Sequence, residues 1–317
     1  MSEAWLFPGQ GAQAVGMARS VFESSDAARG VFARADAALN EDLSALVFAG
    51  PEEQLRLTAN AQPAILTACI AILEAMRERV AELSPPAFVA GHSLGEYTAL
   101  VAAGALAFED AVRLVRLRGV AMQHAVPVDM GGMAAVIGVE SEALDGLCAE
   151  ASKNDLVAPA NYNAPGQIVV AGHRAAIDRL TQSVAAAGGR VLALQVSAPF
   201  HCKLMAPATE VVRTALESVT MRAPQFPLVP NFDAHPTSDP VEIRKLLAAQ
   251  IEAPVRWQET VQELVSRGVD RFVEIGPGGV LSRLVHRIAP SASILGVTDA
   301  SSLDAFARFV RAGSACR

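Results

Sequence analysis

Gly91-His92-Ser93-Leu94-Gly95 places a serine between two glycines, directly after the apolar run 87–91 and before a helix-compatible stretch. A serine flanked this way at a strand-to-helix turn has the pattern of a nucleophile elbow, because glycines allow a bend sharp enough to put the hydroxyl at its tip. The Leu94 backbone N–H then faces the place where an oxyanion would form. A serine hydroxyl is a weak nucleophile at neutral pH and needs a base delivered from elsewhere in the fold. There are six histidines. His92 adjoins the serine but should point away from the tip of the bend, which leaves it a packing or positioning role. His124, His173, His235 and His286 fall in helical or loop stretches with charged neighbours, where surface or capping roles are expected. His201, in VSAPFHCKLMAP, stands where the chain leaves a strand and turns back toward the elbow. It is the expected base, with helix capping as the competing role. Cys202 is a nucleophile by type, but beside a serine elbow it is expected to be a small packing residue.

In the segment 109–125, positions 111, 114, 115, 118, 121, 122 and 125 share one helical face and read Ala, Leu, Val, Arg, Ala, Met, Ala. Arg118 is the one charge in that stripe, while Arg113 and Arg116 lie opposite, on a face expected to be solvated. A buried guanidinium is strongly unfavourable without a carboxylate or phosphate. Arg118 therefore either pairs with an acid of the protein or awaits an anionic ligand, and its planar fork suits a carboxylate held by two parallel hydrogen bonds. Near the start, FPGQGAQ (7–13) follows a short apolar run, and Gly9, Gly11 and Ala14 have the spacing of a dinucleotide fingerprint. That fingerprint also needs a second strand ending in an acid about 20 residues on. The segment there, SDAARGVFARADAALN, has helical spacing, so Asp26 and Asp36 end no strand. Gln10, between its glycines, needs another explanation.

The elements that must position these residues follow from hydrophobic periodicity. The first two thirds of the chain alternate short apolar strand candidates with amphipathic helices, the pattern of an α/β fold with a mainly parallel sheet and helices on both faces. Between 128 and 197 the rhythm becomes MAAVIGV, SEALDGLCAEA, LVAPANY, QIVVAG, RAAIDRLTQSVAAAG and RVLALQV. In order this is β-α-β-β-α-β, a ferredoxin-like unit. The expected organisation is a large hydrolase-like catalytic domain of residues 1–127 and 198–317 with a small ferredoxin-like α+β subdomain, 128–197, inserted into it. The ligand cleft is expected between the two. Pro-rich corners at 84–86, 224–230 and 236–240 read as loops.

With 317 residues, 51% of them hydrophobic and 19% charged, the chain can bury a large core. A net charge of -7, with no basic patch interleaved with aromatics, argues against nucleic acid as a partner. The apolar runs near 64–73 and 98–108 read as too short or interrupted to span a bilayer, and no leader-like stretch opens the sequence, so a cytoplasmic protein without a membrane partner is expected. Cys69, Cys148, Cys202 and Cys316 are scattered without zinc or redox spacing, and no metal is implied.

Taken together, FPGQGAQ, NAQPAIL, GHSLGEY, RLRGVAMQ, NYNAPGQIVVAG, SAPFHCKLM, AAQIEAPVRW and EIGPGGVLSRL occur in one order over nearly the whole chain, and the sequence resembles the malonyl-CoA:acyl carrier protein transacylase family. The resemblance implies Ser93 as acyl nucleophile, His201 as general base and acid, Arg118 as binder of the malonyl carboxylate, and Gln10 with the Leu94 amide as oxyanion hole. It implies that Gln250 orients His201 through its backbone carbonyl, and that Gln62, His92, Asn161 and Asn163 line or position the same cleft. Phe200 fits the bulky residue that favours malonyl over methylmalonyl. The substrates implied are malonyl-CoA and the phosphopantetheine thiol of an acyl carrier protein, with no bound cofactor, in fatty-acid synthesis or a trans-acting polyketide system. Lys203, Arg283 and Arg287 are candidates for carrier docking. The rival classes are a serine esterase or thioesterase, for which Asp110, Asp129 and Asp145 supply no obvious strand-end acid, and a non-catalytic carrier-docking module.

Overall fold

The computed structural model describes residues 2–80, 83–127, 129–196 and 198–314, so Cys316 and the expected boundary residues Val128 and Ser197 lie outside the described residues. The described strands are β1 (Ser2–Phe7), β2 (Phe88–Gly91), β3 (Gly131–Ile137), β4 (Val157–Ala164), β5 (Gln167–His173), β6 (Arg190–Ala193), β7 (Leu228–Val229), β8 (Val269–Ile275) and β9 (Ser293–Val297). Five of them form a parallel sheet in the order β7-β2-β1-β8-β9. The other four form an antiparallel sheet in the order β4-β5-β3-β6.

β1 explains why both faces of the parallel sheet are covered. Its residues Ala4–Phe7 are all buried, and side chains alternate across a strand. Trp5 and Phe7 enter a core with Ile65, Ile72 and Met76 of the Thr58–Arg79 helix. Ala4 and Leu6 enter a second core with Trp257, Val261 and Leu264 of the Trp257–Ser266 helix and Leu281, Leu284 and Val285 of the Val280–Ile288 helix. In the smaller sheet, Ala134, Val136, Ile168 and Val170 pack under the Ser141–Ser152 and Arg174–Ala186 helices through Leu144, Cys148, Leu180 and Val184. The fold class is therefore the expected mixed α/β arrangement with a ferredoxin-like strand order in its second sheet.

Several local expectations need correction. The alternation of strands and helices through the first two thirds does not describe the sheet, because β1 and β2 are its only described strands before residue 128 and the rest come from 228 onward. The apolar run at 64–73 belongs to a helix of 22 residues, long and apolar enough to cross a membrane by length and composition. Its most apolar window is 83% buried inside the protein, so its hydrophobicity is that of a core helix. The corner at 224–230 contains β7, whose two residues pair with Val89 and Ala90. Pro240 opens the Pro240–Ala249 helix, where a missing N–H costs nothing. Arg116 is not solvated: its side chain is only 17% exposed, pairs with Glu41 at 2.6 Å, and donates to the Ala59 carbonyl and to Asn60.

Candidate active site

Ser93 lies two residues past the C-terminal end of β2, and the Gly95–Ala102 helix starts two residues later. Its φ of +52° is the left-handed conformation expected of an elbow. The bend is possible because its flanks lack side chains. A Cβ on Gly91 would come within 1.9 Å of the Gly95 carbonyl carbon, and one on Gly95 within 2.0 Å of the Phe7 carbonyl oxygen. A Cβ on Gly9 would lie 2.3 Å from the His92 carbonyl oxygen, so the FPGQGAQ loop is pressed directly against the elbow.

His201 reaches this elbow from the segment that follows the small sheet. Its Nε2 is 2.8 Å from Ser93 Oγ, and its Nδ1 is 2.9 Å from the Gln250 backbone carbonyl. A carbonyl can only accept, so Nδ1 carries the proton and Nε2 is left as the acceptor for the serine hydroxyl. Neither Asp110, Asp129 nor Asp145 serves this histidine; they bond Arg113, Arg174 and Tyr162, respectively. Cys202 is buried, and its thiol faces the Pro199 carbonyl at 3.1 Å. Burial lifts that thiol to about 11, the opposite of what a reactive thiolate needs.

Arg118 is 1% exposed and stands at the same oxygen. One Nη2 donates to Ser93 Oγ at 3.0 Å and to Gln250 Oε1 at 2.8 Å, while Nη1 donates to Gln62 Oε1 at 2.8 Å. Its guanidinium lies over the Tyr97 ring, 5.3 Å from the centroid. Among the described residues it has no ion-paired carboxylate, and its Nε has no hydrogen-bond partner. The cation's direct contacts are thus neutral amides, a phenol ring and the serine, and the nearby Glu96 carboxyl acts on it without a hydrogen bond.

Ser93, His201, Arg118, Gln10, Leu94, Gln62, His92, Asn161 and Phe200 all line one cavity of about 330 Å³. Gly11, Gln13, Arg56, Met122, Met133 and the segment 194–196 complete its wall. Its walls come from both sheets' territories, as expected of a cleft between them. Two expected residues stand behind that wall. Gln250 is fully buried and acts on His201 and Arg118 from beneath. Asn163, expected at the cleft, instead meets His92 Nε2 at 2.9 Å, and so ties the elbow's histidine to β4. The Gln10 side chain donates to Thr58 Oγ1 at 3.1 Å. Of the basic residues considered for docking, Lys203 is exposed and 3.7 Å from Glu252, Arg283 bonds the Gly278 carbonyl, and Arg287 is bound to Gln167 and the Pro165 carbonyl.

Two contributors escaped the sequence reading. Asn231, in the loop after β7, accepts from the Ser93 N–H at 2.6 Å and donates to the Gly91 carbonyl at 2.7 Å, bracing the elbow from below. Nothing in its sequence surroundings marks it. Glu96 is fully buried and accepts from the Asn231 N–H at 2.9 Å and from Gln250 Nε2 at 2.8 Å. It could have been found as Arg118 was, as the one charge in the apolar helix Gly95–Ala102.

Burial, reinforced by the Arg118 charge, pulls the His201 imidazole from its ordinary 6.5 down to about 3. It stays neutral where an ordinary histidine titrates. The expected acylation rate of Ser93, followed by intact mass, therefore has no acid limb near pH 6.5; an unperturbed base would lose about 30-fold by pH 5, and such a loss would contradict the neutral assignment. Burial acts oppositely on Glu96, raising it from 4.5 to about 7. The signs of their stability contributions differ as well. For His201 the unfolded chain binds a proton that the folded chain refuses, so its contribution is present above 6.5 and lost as pH falls through about 3. For Glu96 the folded chain keeps a proton longer, so its contribution is present below 4.5 and lost as pH rises through about 7.

The chain is similar to known proteins along nearly its whole length. The acyl transferase domain family matches residues 4–310. A malonyl CoA-acyl carrier protein transacylase of Salmonella typhimurium is 42% identical over 303 residues, covering 95% of this chain and 97% of that protein. The crystal structure of an acyl carrier protein S-malonyltransferase from Vibrio cholerae superposes with a TM-score of 0.94 at 44% identity, covering 96% of this chain and 100% of the other. A type II polyketide-synthase acyl-carrier protein in complex with its malonyl-transacylase gives 0.93 at 43% identity, covering 96% and 98%. With similarity along nearly its full length, and with an elbow serine, a histidine and a buried arginine in one cavity, this chain belongs to the acyl transferase domain family, among the malonyl CoA-acyl carrier protein transacylases.

Proposed function

We propose that this protein moves a malonyl group from malonyl-CoA to the phosphopantetheine thiol of an acyl carrier protein by a ping-pong Ser–His mechanism. The observation that carries the reading is the meeting of His201 Nε2, at 2.8 Å, and Arg118 Nη2, at 3.0 Å, on the one oxygen Ser93 Oγ. Ser93 Oγ attacks the thioester carbonyl as its proton passes to His201 Nε2. The resulting oxyanion faces the Gln10 and Leu94 N–H groups. Collapse breaks the carbon–sulfur bond, the imidazolium proton goes to the coenzyme A thiolate, and a malonyl ester remains on Ser93. The carrier thiol then attacks that ester, giving its proton to His201, which returns it to Ser93. Arg118, to which no carboxylate among the described residues is bonded, takes the malonyl carboxylate.

The proposed cycle uses no resident cofactor or metal: coenzyme A enters as substrate and phosphopantetheine arrives on the partner. Supply of extender units to fatty-acid synthesis, in the cytoplasm, is the assigned role. A polyketide carrier is a second reading, favoured by the 43% identical neighbour whose complex contains one. The test is intact mass after exposure to malonyl-CoA. A malonyl adduct on Ser93 that persists in water and disappears on adding holo carrier protein is the expected result. Rapid loss without carrier would make the protein a hydrolase, and competition between fatty-acid and polyketide carriers for the loaded enzyme decides the pathway.

A further inference from the structure

We infer that Glu96 is a positioning residue for acyl transfer, its carboxyl oxygen Oε2 holding the two residues that fix Ser93, His201 and Arg118 in place. The inference rests on the reading of Ser93 as the acyl nucleophile. Glu96 is 0% exposed, and its carboxyl makes no hydrogen bond to any of the three, although its backbone N–H donates to the Ser93 carbonyl at 3.1 Å. Its Oε2 accepts from two donors at once, Gln250 Nε2 at 2.8 Å and the Asn231 N–H at 2.9 Å. Gln250 in turn accepts from His201 Nδ1 through its backbone carbonyl and from Arg118 through Oε1, and its Nε2 also reaches the Ser93 carbonyl at 3.1 Å. Asn231 accepts from the Ser93 N–H and donates to the Gly91 carbonyl. The branches of this web that run through Gln250 and Asn231 meet on one carboxyl oxygen; the branch from Arg118 to Gln62 runs separately.

This places an acid in the site at one remove from where serine hydrolases keep theirs. The carboxyl does not face the imidazole, and it cannot stabilise an imidazolium by direct pairing. What it offers is a fixed acceptor. Oε1 has no hydrogen-bond partner among the described residues, so the other half of the group contributes nothing to the web. Burial also raises the group to about 7, against the pull of Asn231, Gln250 and Arg118, so near neutral pH much of it carries no charge. Acceptor position, rather than negative charge, is therefore the property the web uses, and a neutral amide of the same length should replace it better than a shorter carboxylate.

Two full-length variants separate these properties. In single-turnover acylation by malonyl-CoA, read by intact mass, E96Q is expected to keep its limiting rate within about threefold of the unsubstituted protein. E96D, which withdraws the acceptor by one methylene, is expected to lose at least tenfold in limiting rate while its half-saturating malonyl-CoA concentration stays within about threefold. Either variant alone can overturn the inference: a tenfold loss in E96Q, or an E96D rate equal to the unsubstituted protein. So would losses that appear only in half-saturation or only in melting temperature, because a merely structural role moves those. Phenylmethylsulfonyl fluoride, which sulfonylates an activated serine without needing a malonyl group, is run beside each. If the unsubstituted protein takes up no malonyl group, the substrate reading fails, and the sulfonylation rates of the two variants still decide the role of Glu96.

Discussion

Replacing His201 with alanine is expected to lower the rate of Ser93 acylation by about 10³-fold, within the range general-base removal usually costs. The hydroxyl has two polar neighbours, and only one of them can take its proton. Arg118 donates to Ser93 Oγ, and a guanidinium has no acceptor. His201 Nε2, 2.8 Å away and stripped of its proton by the Nδ1 contact with Gln250, is the acceptor. Asp110, Asp129 and Asp145 do not substitute, because each is bonded elsewhere. Single-turnover acylation of H201A, with a melting curve to establish that it is folded, provides the measurement. A loss smaller than tenfold would remove His201 from the proton-transfer role.

The second large effect is one of selectivity. In R118A, acylation by malonyl-CoA is expected to fall by about 30- to 4,000-fold, the equivalent of the roughly 2–5 kcal/mol lost when one partner of a buried charge pair is truncated. Acylation by acetyl-CoA should change by less than tenfold. The asymmetry arises because the malonyl carboxylate would enter a buried cavity with its cation gone, whereas acetyl brings no charge to satisfy. Some loss is shared by both donors, since Arg118 also contacts Ser93 Oγ and Gln250. R118K keeps the charge but not the fork that meets Gln62 and Gln250 together, and should fall between the two. The competition assay uses both thioesters in one reaction; an unchanged preference for malonyl in R118A would overturn the assignment.

How much of this was legible depended on whether the cause was local. The elbow could be read because Gly91, Ser93 and Gly95 carry the whole steric requirement within five residues. Arg118 could be read because one charge breaks a helical stripe that is otherwise apolar and, through Met122, buried. The inserted unit was visible in its own strand and helix rhythm, although the last strand proved short, Arg190–Ala193, with Leu194 and Gln195 going instead to the cavity wall. What was not legible is nonlocal. β7 is two residues in a proline-rich corner, and only its partner β2 makes it a strand. Asn231 matters solely because that corner is carried beneath the elbow, 138 residues away in sequence from the N–H it accepts from. Arg116 shows the converse error, since its helix face looked solvent-facing until Glu41 and the start of the Thr58–Arg79 helix closed over it.

The position of β1 has a consequence for how the protein is made. Its neighbours are β2 on one side and β8 on the other, and Ser2 is in register with Val269. β1 is thus the middle plank of the sheet, and one of its long edges stays open until the distant β8 has been synthesised. Such distant parallel pairings form slowly and leave apolar edges exposed meanwhile. Nascent chains halted before β8 should therefore be sticky and readily digested, and acquire protease resistance only once that last neighbour clears the exit tunnel.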